Sequence, residues 1–168
     1  MNKKILIVAV LLLICFAVTL SFGQYRSYAL SKQKAIAAPD FSLQDLEGKT
    51  FKLSGQLGKP VVLFFGTTWC PSCRAEIPYY SAIYEKYARR GLQVIYIDIN
   101  EPAEKVARFA KSHSFPYRVL LDRDGSVATD YNIVGVPTLV LIDKEGNIIT
   151  MSHRTADLPL DNLFPAGK

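Results

Sequence analysis

Cysteine is scarce in this 168-residue chain, with Cys15, Cys70 and Cys73 the only three. Histidine is scarcer, and His113 and His153 stand apart from each other and from the cysteines. A structural zinc site takes about four ligands. Cys15 lies deep in an apolar segment, so two cysteines close in sequence have no further ligands to recruit, and no metal is expected. Clusters of basic charge are also missing beyond Arg89-Arg90. The net charge of +5 falls to +3, 18 basic against 15 acidic residues, once Lys3 and Lys4 are set aside. Charge this scattered gives nucleic-acid binding no support. No repeat or low-complexity tract interrupts the chain, and no feature calls for a cofactor.

Set against these absences is the segment Thr68-Trp69-Cys70-Pro71-Ser72-Cys73, between an apolar strand-like run and a helix-like run. A loop of two intervening residues gains little closure entropy from a permanent disulfide, so the pair is a poor staple. A thiol at the start of a helix feels its unpaired N–H groups and the positive end of its dipole, which stabilise a thiolate. The thiolate is the species that attacks disulfides, so this placement points to thiol–disulfide exchange.

A second feature is the apolar run Ile5 to Phe22 after Lys3-Lys4, just long enough to cross a bilayer. It reads as an uncleaved signal-anchor over residues 1–23. The rival is a cleaved signal peptide, for which Ser21-Phe22-Gly23 supplies small residues at the right spacing. Residues 24–37 are polar and basic and read as a linker, with a folded domain over 38–168. Basic residues flank the span on both sides, but a short N-terminal signal-like segment normally exports the domain attached to it. Beyond residue 15 both cysteines belong to one motif, so no unpaired thiol is left to oxidise outside the cytoplasm. The expected location is the inner membrane, single-pass, with the domain on the periplasmic side, or the periplasm itself if the signal is cleaved.

Within the domain, Phe41 to Leu43 and Thr50 to Leu53 read as a short hairpin around Glu47-Gly48. Val61 to Phe65 is a strand buried on both faces. A helix runs from Pro71 to Arg90, with Ile77, Tyr80, Ile83, Tyr84 and Tyr87 at helical spacing, Pro78 as an internal kink and Gly91 as the stop. Gln93 to Ile99 is a second buried strand, succeeded by a helix from Pro102 to about Ser112. Strand–helix–strand alternation of this kind implies parallel pairing through a right-handed crossover. Arg118 to Leu121 is a strand and Val127 to Tyr131 a helical stretch. Thr138 to Ile142 with Ile148 to Met151 form an antiparallel hairpin, and Asp157 to Phe164 a short closing helix that Pro159 and Pro165 limit.

These residues carry a family resemblance. Ala38-Pro39-Asp40-Phe41-Ser42-Leu43, Gly66-Thr67-Thr68-Trp69-Cys70-Pro71-Ser72-Cys73, Pro78 and Gly135-Val136-Pro137-Thr138 together resemble the thioredoxin superfamily, and within it the membrane-tethered TlpA/ResA-like thiol:disulfide oxidoreductases. The resemblance implies an α/β thioredoxin fold: a central mixed β-sheet flanked by helices, with an N-terminal β-hairpin extension and an N-terminal transmembrane anchor. It makes Cys70 the exposed nucleophile and Cys73 the more buried resolving thiol of a redox-active disulfide. It makes Pro137 a cis-proline facing the pair, with the Val136 backbone positioned to pair with an extended substrate. Trp69 is expected to cover the pair and touch substrate, and Arg74 to add positive potential. Glu76, three residues after Cys73 on the same helix face, is a candidate proton shuttle for the thiols. Many thioredoxins instead place an acid on the strand six positions before the first cysteine, where this chain has Phe64. The implied partners are disulfide-containing exported proteins, apocytochrome c among them, and a membrane electron donor. The rivals are a peroxiredoxin-like thiol peroxidase and a copper chaperone using the cysteine pair as soft ligands.

Overall fold

The computed structural model describes residues 35–165. The expected anchor and most of the expected linker lie outside them. Among the described residues no helix is long and apolar enough to cross a membrane.

Eight strands form one mixed sheet: β1 (Ile36–Ala37), β2 (Ser42–Asp45), β3 (Thr50–Lys52), β4 (Val61–Gly66), β5 (Gln93–Ile99), β6 (Arg118–Asp122), β7 (Thr138–Ile142) and β8 (Asn147–Ser152). Their spatial order is β1-β8-β7-β4-β5-β6-β2-β3. Only β4–β5 and β5–β6 pair in parallel; every other neighbour is antiparallel. The helices are α1 (Pro71–Tyr87), α2 (Ala103–Ser112), α3 (Ser126–Asp130) and α4 (Leu160–Leu163).

All six residues of β4 are buried, because the sheet is covered on both faces. Side chains alternate along a strand, so Val62 and Phe64 enter one core with Tyr80, Tyr87, Tyr96 and Val106, while Leu63 and Phe65 enter another with Phe41, Phe51, Val127 and Tyr131. The thioredoxin fold expected from the motifs is the one observed. Phe64 stacks on Tyr80 of α1 with ring centroids 3.9 Å apart and planes 12° apart. That contact explains an aromatic residue where many thioredoxins carry an acid.

The hairpin β2–β3 docks against β6 through Asp45, which is buried and accepts from the Arg118 guanidinium at 2.6 and 2.8 Å and from Lys49 N at 2.7 Å. Three boundaries differ from expectation. Ile36 and Ala37, within the expected linker, pair with Ile148 and Asn147 of β8. The first helix gives way at Tyr87 to a 3-10 turn over Ala88–Arg90, before Gly91 adopts φ +100°. The closing helix is split into a 3-10 turn at Thr155–Asp157 and the single turn of α4. Pro159 is the reason: it forces Leu158 into extended backbone, ψ 123°, and interrupts the helix.

Gly66 ends β4 under the Tyr96 ring. A Cβ there would lie 2.9 Å from Tyr96 Cζ and closer still to its hydroxyl. Tyr96 is itself fully buried and has little room to give. Gly66→Ala is therefore expected to cost about 1–3 kcal/mol by overpacking. Urea unfolding would measure it, and an unchanged midpoint would show that the ring shifts freely.

Candidate active site

The cysteine pair sits where β4 ends and α1 begins. Cys70 is the N-cap of α1, with φ −75° and ψ 119°, and its sulfur accepts a hydrogen bond from Cys73 N at 3.4 Å. Pro71 occupies the first helical position, where a missing N–H costs nothing. The two cysteines are in the dithiol form. The expected exposure of Cys70 is not seen; it retains 6% against 1% for Cys73, so the order of burial matches expectation while the degree does not. The cover comes from across the sheet: the Cys70 thiol donates to the Val136 carbonyl at 3.6 Å. The Val136–Pro137 peptide is cis, and Pro137 is buried beside the pair.

Burial pushes the Cys73 thiol up to about 12, with a smaller opposing pull from the Thr67 backbone N–H. Cys73 therefore does not ionise unaided near neutral pH. Trp69, the only tryptophan, is 62% exposed, and Val134 is 96% exposed just before the Gly135-Val136-Pro137 turn. These two residues give the rim of the site an apolar face.

Glu76 is half-buried and lines a groove with Ser72, Val136, Pro137 and His153. Its Oε2 accepts from Thr155 N at 3.1 Å and Thr155 Oγ1 at 2.7 Å. The carboxylate thus ties α1 to the 3-10 turn at Thr155–Asp157, a contact that helix-face spacing does not reveal. His153 carries no functional signal in the sequence, yet its ring Nδ1 lies 2.7 Å from the Pro137 carbonyl and braces that turn. Arg74 donates through Nε to Thr68 O at 2.9 Å and lies over the Phe109 ring, so its guanidinium holds the Thr67–Cys70 loop in place.

Sequence reasoning missed two acids. Glu101 is buried between β5 and α2, accepts from both the backbone N–H and the hydroxyl of Thr68, and pairs with Lys105. Burial works to raise Glu101, but the hydrogen bonds from Lys105 and Thr68 more than offset it and hold the carboxylate below its ordinary range. Asp98 is 1% exposed on β5, directly opposite Gly66 of β4. Burial first, and the neighbouring Glu101 second, push it up to about 8. The signal was available: a single acid in an otherwise apolar strand, and a glutamate just past a parallel strand's carboxyl end, where sites of open α/β sheets gather.

The chain is similar to known proteins over most of its length. The model of the AhpC/TSA family matches residues 35–151. The thiol-disulfide oxidoreductase ResA of Bacillus thuringiensis subsp. konkukian is 36% identical over 151 residues, spanning 88% of this chain and 86% of that protein. Among solved structures, a thiol:disulfide interchange protein of the thioredoxin family from Chlorobium tepidum TLS superposes with a TM-score of 0.66 at 30% identity, covering 72% of this chain and 87% of the other. A thiol:disulfide interchange protein from Bacteroides sp. gives 0.72 at 26% identity, covering 80% and 91%.

Proposed function

Because the chain belongs to the AhpC/TSA family and to the ResA-like thiol-disulfide oxidoreductases of the thioredoxin superfamily, and is a thiol:disulfide oxidoreductase, we propose that it reduces disulfides of exported proteins on the outer side of the membrane, apocytochrome c among them. In this reading residues 1–23 anchor the chain, 24–35 tether it, and the domain that begins with β1 at Ile36 does the chemistry. A membrane electron donor of the thiol-reducing type returns the oxidised pair to dithiol.

The observation that carries the reading is the unequal pair at the start of α1. The Cys70 thiolate attacks the substrate disulfide; one substrate sulfur joins Cys70 and the other leaves as thiolate. Cys73 then attacks Cys70 Sγ, forming the Cys70–Cys73 bond and releasing the second substrate thiolate. Two electrons pass from the protein dithiol to the substrate. Trp69, Val136 and Pro137 are assigned to substrate docking, and Glu76 to proton shuttling at the groove that it lines.

The test is a trap. With Cys73→Ser in cells, exported proteins are expected to accumulate as mixed disulfides on Cys70, identified by mass spectrometry after diagonal electrophoresis. Capture of cytoplasmic proteins alone, or of none, would overturn the reading. Peroxide-dependent thiol consumption, or stoichiometric copper binding without exchange, would reassign the pair.

A further inference from the structure

Thr68 and Trp69 are neighbours with opposite surroundings. Thr68 is 3% exposed and Trp69 62% exposed, so an anchored residue is joined directly to one that stands out in solvent. Every polar group of Thr68 is taken up by a side chain from another element. Its backbone N–H and its hydroxyl donate to the two carboxylate oxygens of Glu101, the hydroxyl at 2.8 Å. Its carbonyl accepts from Arg74 Nε at 2.9 Å. Glu101 lies between β5 and α2 and Arg74 lies on α1, so two separate parts of the fold grip one residue.

The grip is itself braced. Lys105, one turn further along, pairs with Glu101 Oε1, and the Arg74 guanidinium lies over the Phe109 ring of α2 at 5.8 Å. Burial alone would push the Glu101 carboxyl up, but the bonds from Lys105 and Thr68 keep it ionised. Hydrogen bonds to an ionised acceptor are shorter and stronger than those between neutral groups. On the other side of Trp69, Cys70 is fixed as the N-cap of α1 by the bond from Cys73 N. Trp69 is therefore a single residue held between two anchored ones. Only its two side-chain torsions are left to set the direction of the indole.

We propose that Glu101 is a positioning residue for substrate capture: by clamping Thr68 it holds the Trp69 indole in its docking direction beside Cys70. Glu101 touches neither substrate nor thiol and moves no proton; it acts through Thr68 alone. This rests on the reading of Trp69 as a docking residue. An exposed aromatic that is already aimed spares the ordering cost of binding. Misplacing a group at a reacting centre by about 1 Å can cost on the order of 10²-fold in rate. The substrate that feels the clamp is a protein disulfide, large enough to meet the indole and Cys70 together.

Trp69 is the only tryptophan, so its fluorescence reads the clamp without a label. The full-length dithiol protein in detergent micelles is expected to show little fast indole motion in time-resolved anisotropy. Glu101→Ala should raise the amplitude of nanosecond motion about twofold or more. Exchange with insulin, used as a protein disulfide, is then followed by acid quench and mass measurement. Trp69→Ala and Glu101→Ala are each expected to slow it about tenfold, as when an aromatic anchor is lost. The double variant should lie within about twofold of either alone, because both substitutions remove the same contact. General loosening of the fold would add to the Trp69→Ala loss rather than vanish into it. Glu101→Gln keeps an acceptor for Thr68 and should recover part of both effects. An indole no more mobile in Glu101→Ala, or losses that multiply in the double variant, overturns the proposal. If Glu101→Ala does not fold, Thr68→Val, which drops the hydroxyl bond alone, is judged by the same two measurements. No change in either would overturn the proposal equally. Trp69→Ala exchanging at full speed instead strikes the docking reading beneath it, and the proposal falls with that reading.

Discussion

Cys70→Ala is expected to abolish turnover with a disulfide substrate, a fall of roughly 10⁴-fold or more, as when a covalent nucleophile is removed. Cys73→Ala is expected to lose turnover as well, but to retain one equivalent of mixed-disulfide formation. The asymmetry comes from position. Cys70 caps α1 and meets the turn at Val136, whereas Cys73 is 1% exposed and lies one helical turn deeper. A substrate sulfur can approach the first and is kept from the second. Quantifying protein–substrate adducts alongside turnover distinguishes the two variants. Turnover surviving in Cys70→Ala, or an adduct forming on Cys73 in its absence, would reverse the assignment.

Asp98→Asn should raise stability at alkaline pH. Asp98 titrates near 8 in the folded chain, against an ordinary value of 3.8, so between those values the folded state holds a proton that the unfolded state has lost. Stability contributed by this group therefore falls as the pH rises from about 4 to about 8. At about 1.4 kcal/mol per pKa unit, the displacement caps the penalty at about 5–6 kcal/mol, and water entry and local relaxation reduce it. The asparagine carries no such penalty. We expect a gain of about 2–4 kcal/mol at pH 9 that shrinks towards zero near pH 4. Urea unfolding at pH 4, 7 and 9 checks it, and two parallel stability curves across that range would show that Asp98 is not destabilised by burial.

Much of the architecture was legible locally. Val61 to Phe65 and Gln93 to Ile99 are unbroken or nearly unbroken apolar runs, and such runs form buried strands whatever surrounds them. Pro71 at a helix start and Gly91 past its end mark α1 to within a turn. The closing segment was harder, because Pro159 lies inside it and splits it into a 3-10 turn and the single turn of α4. Ile36 and Ala37 carry no strand signal of their own. Their pairing depends on β8, more than 100 residues away, presenting an open edge.

The sequence by itself determined the chemistry and its nearest neighbours: a dithiol at the start of a helix, Pro71 within its first turn, and a Val136-Pro137 element held by the motif. Each of these depends on residues adjacent in the chain or on a motif read as a unit. Only the tertiary structure decided which acids lie buried near the pair. Glu76 shares a helix face with Cys73, yet its carboxylate is bound by Thr155 from the far end of the chain. Asp98 is remote in sequence from both cysteines, yet parallel pairing of β4 with β5 sets it opposite Gly66 and behind Cys73. The proton affinity of a carboxyl depends on its burial and on the charges around it. Both are created by the folding of distant segments together, so the sequence shows where an acid interrupts an apolar strand but not what that acid's proton affinity will be.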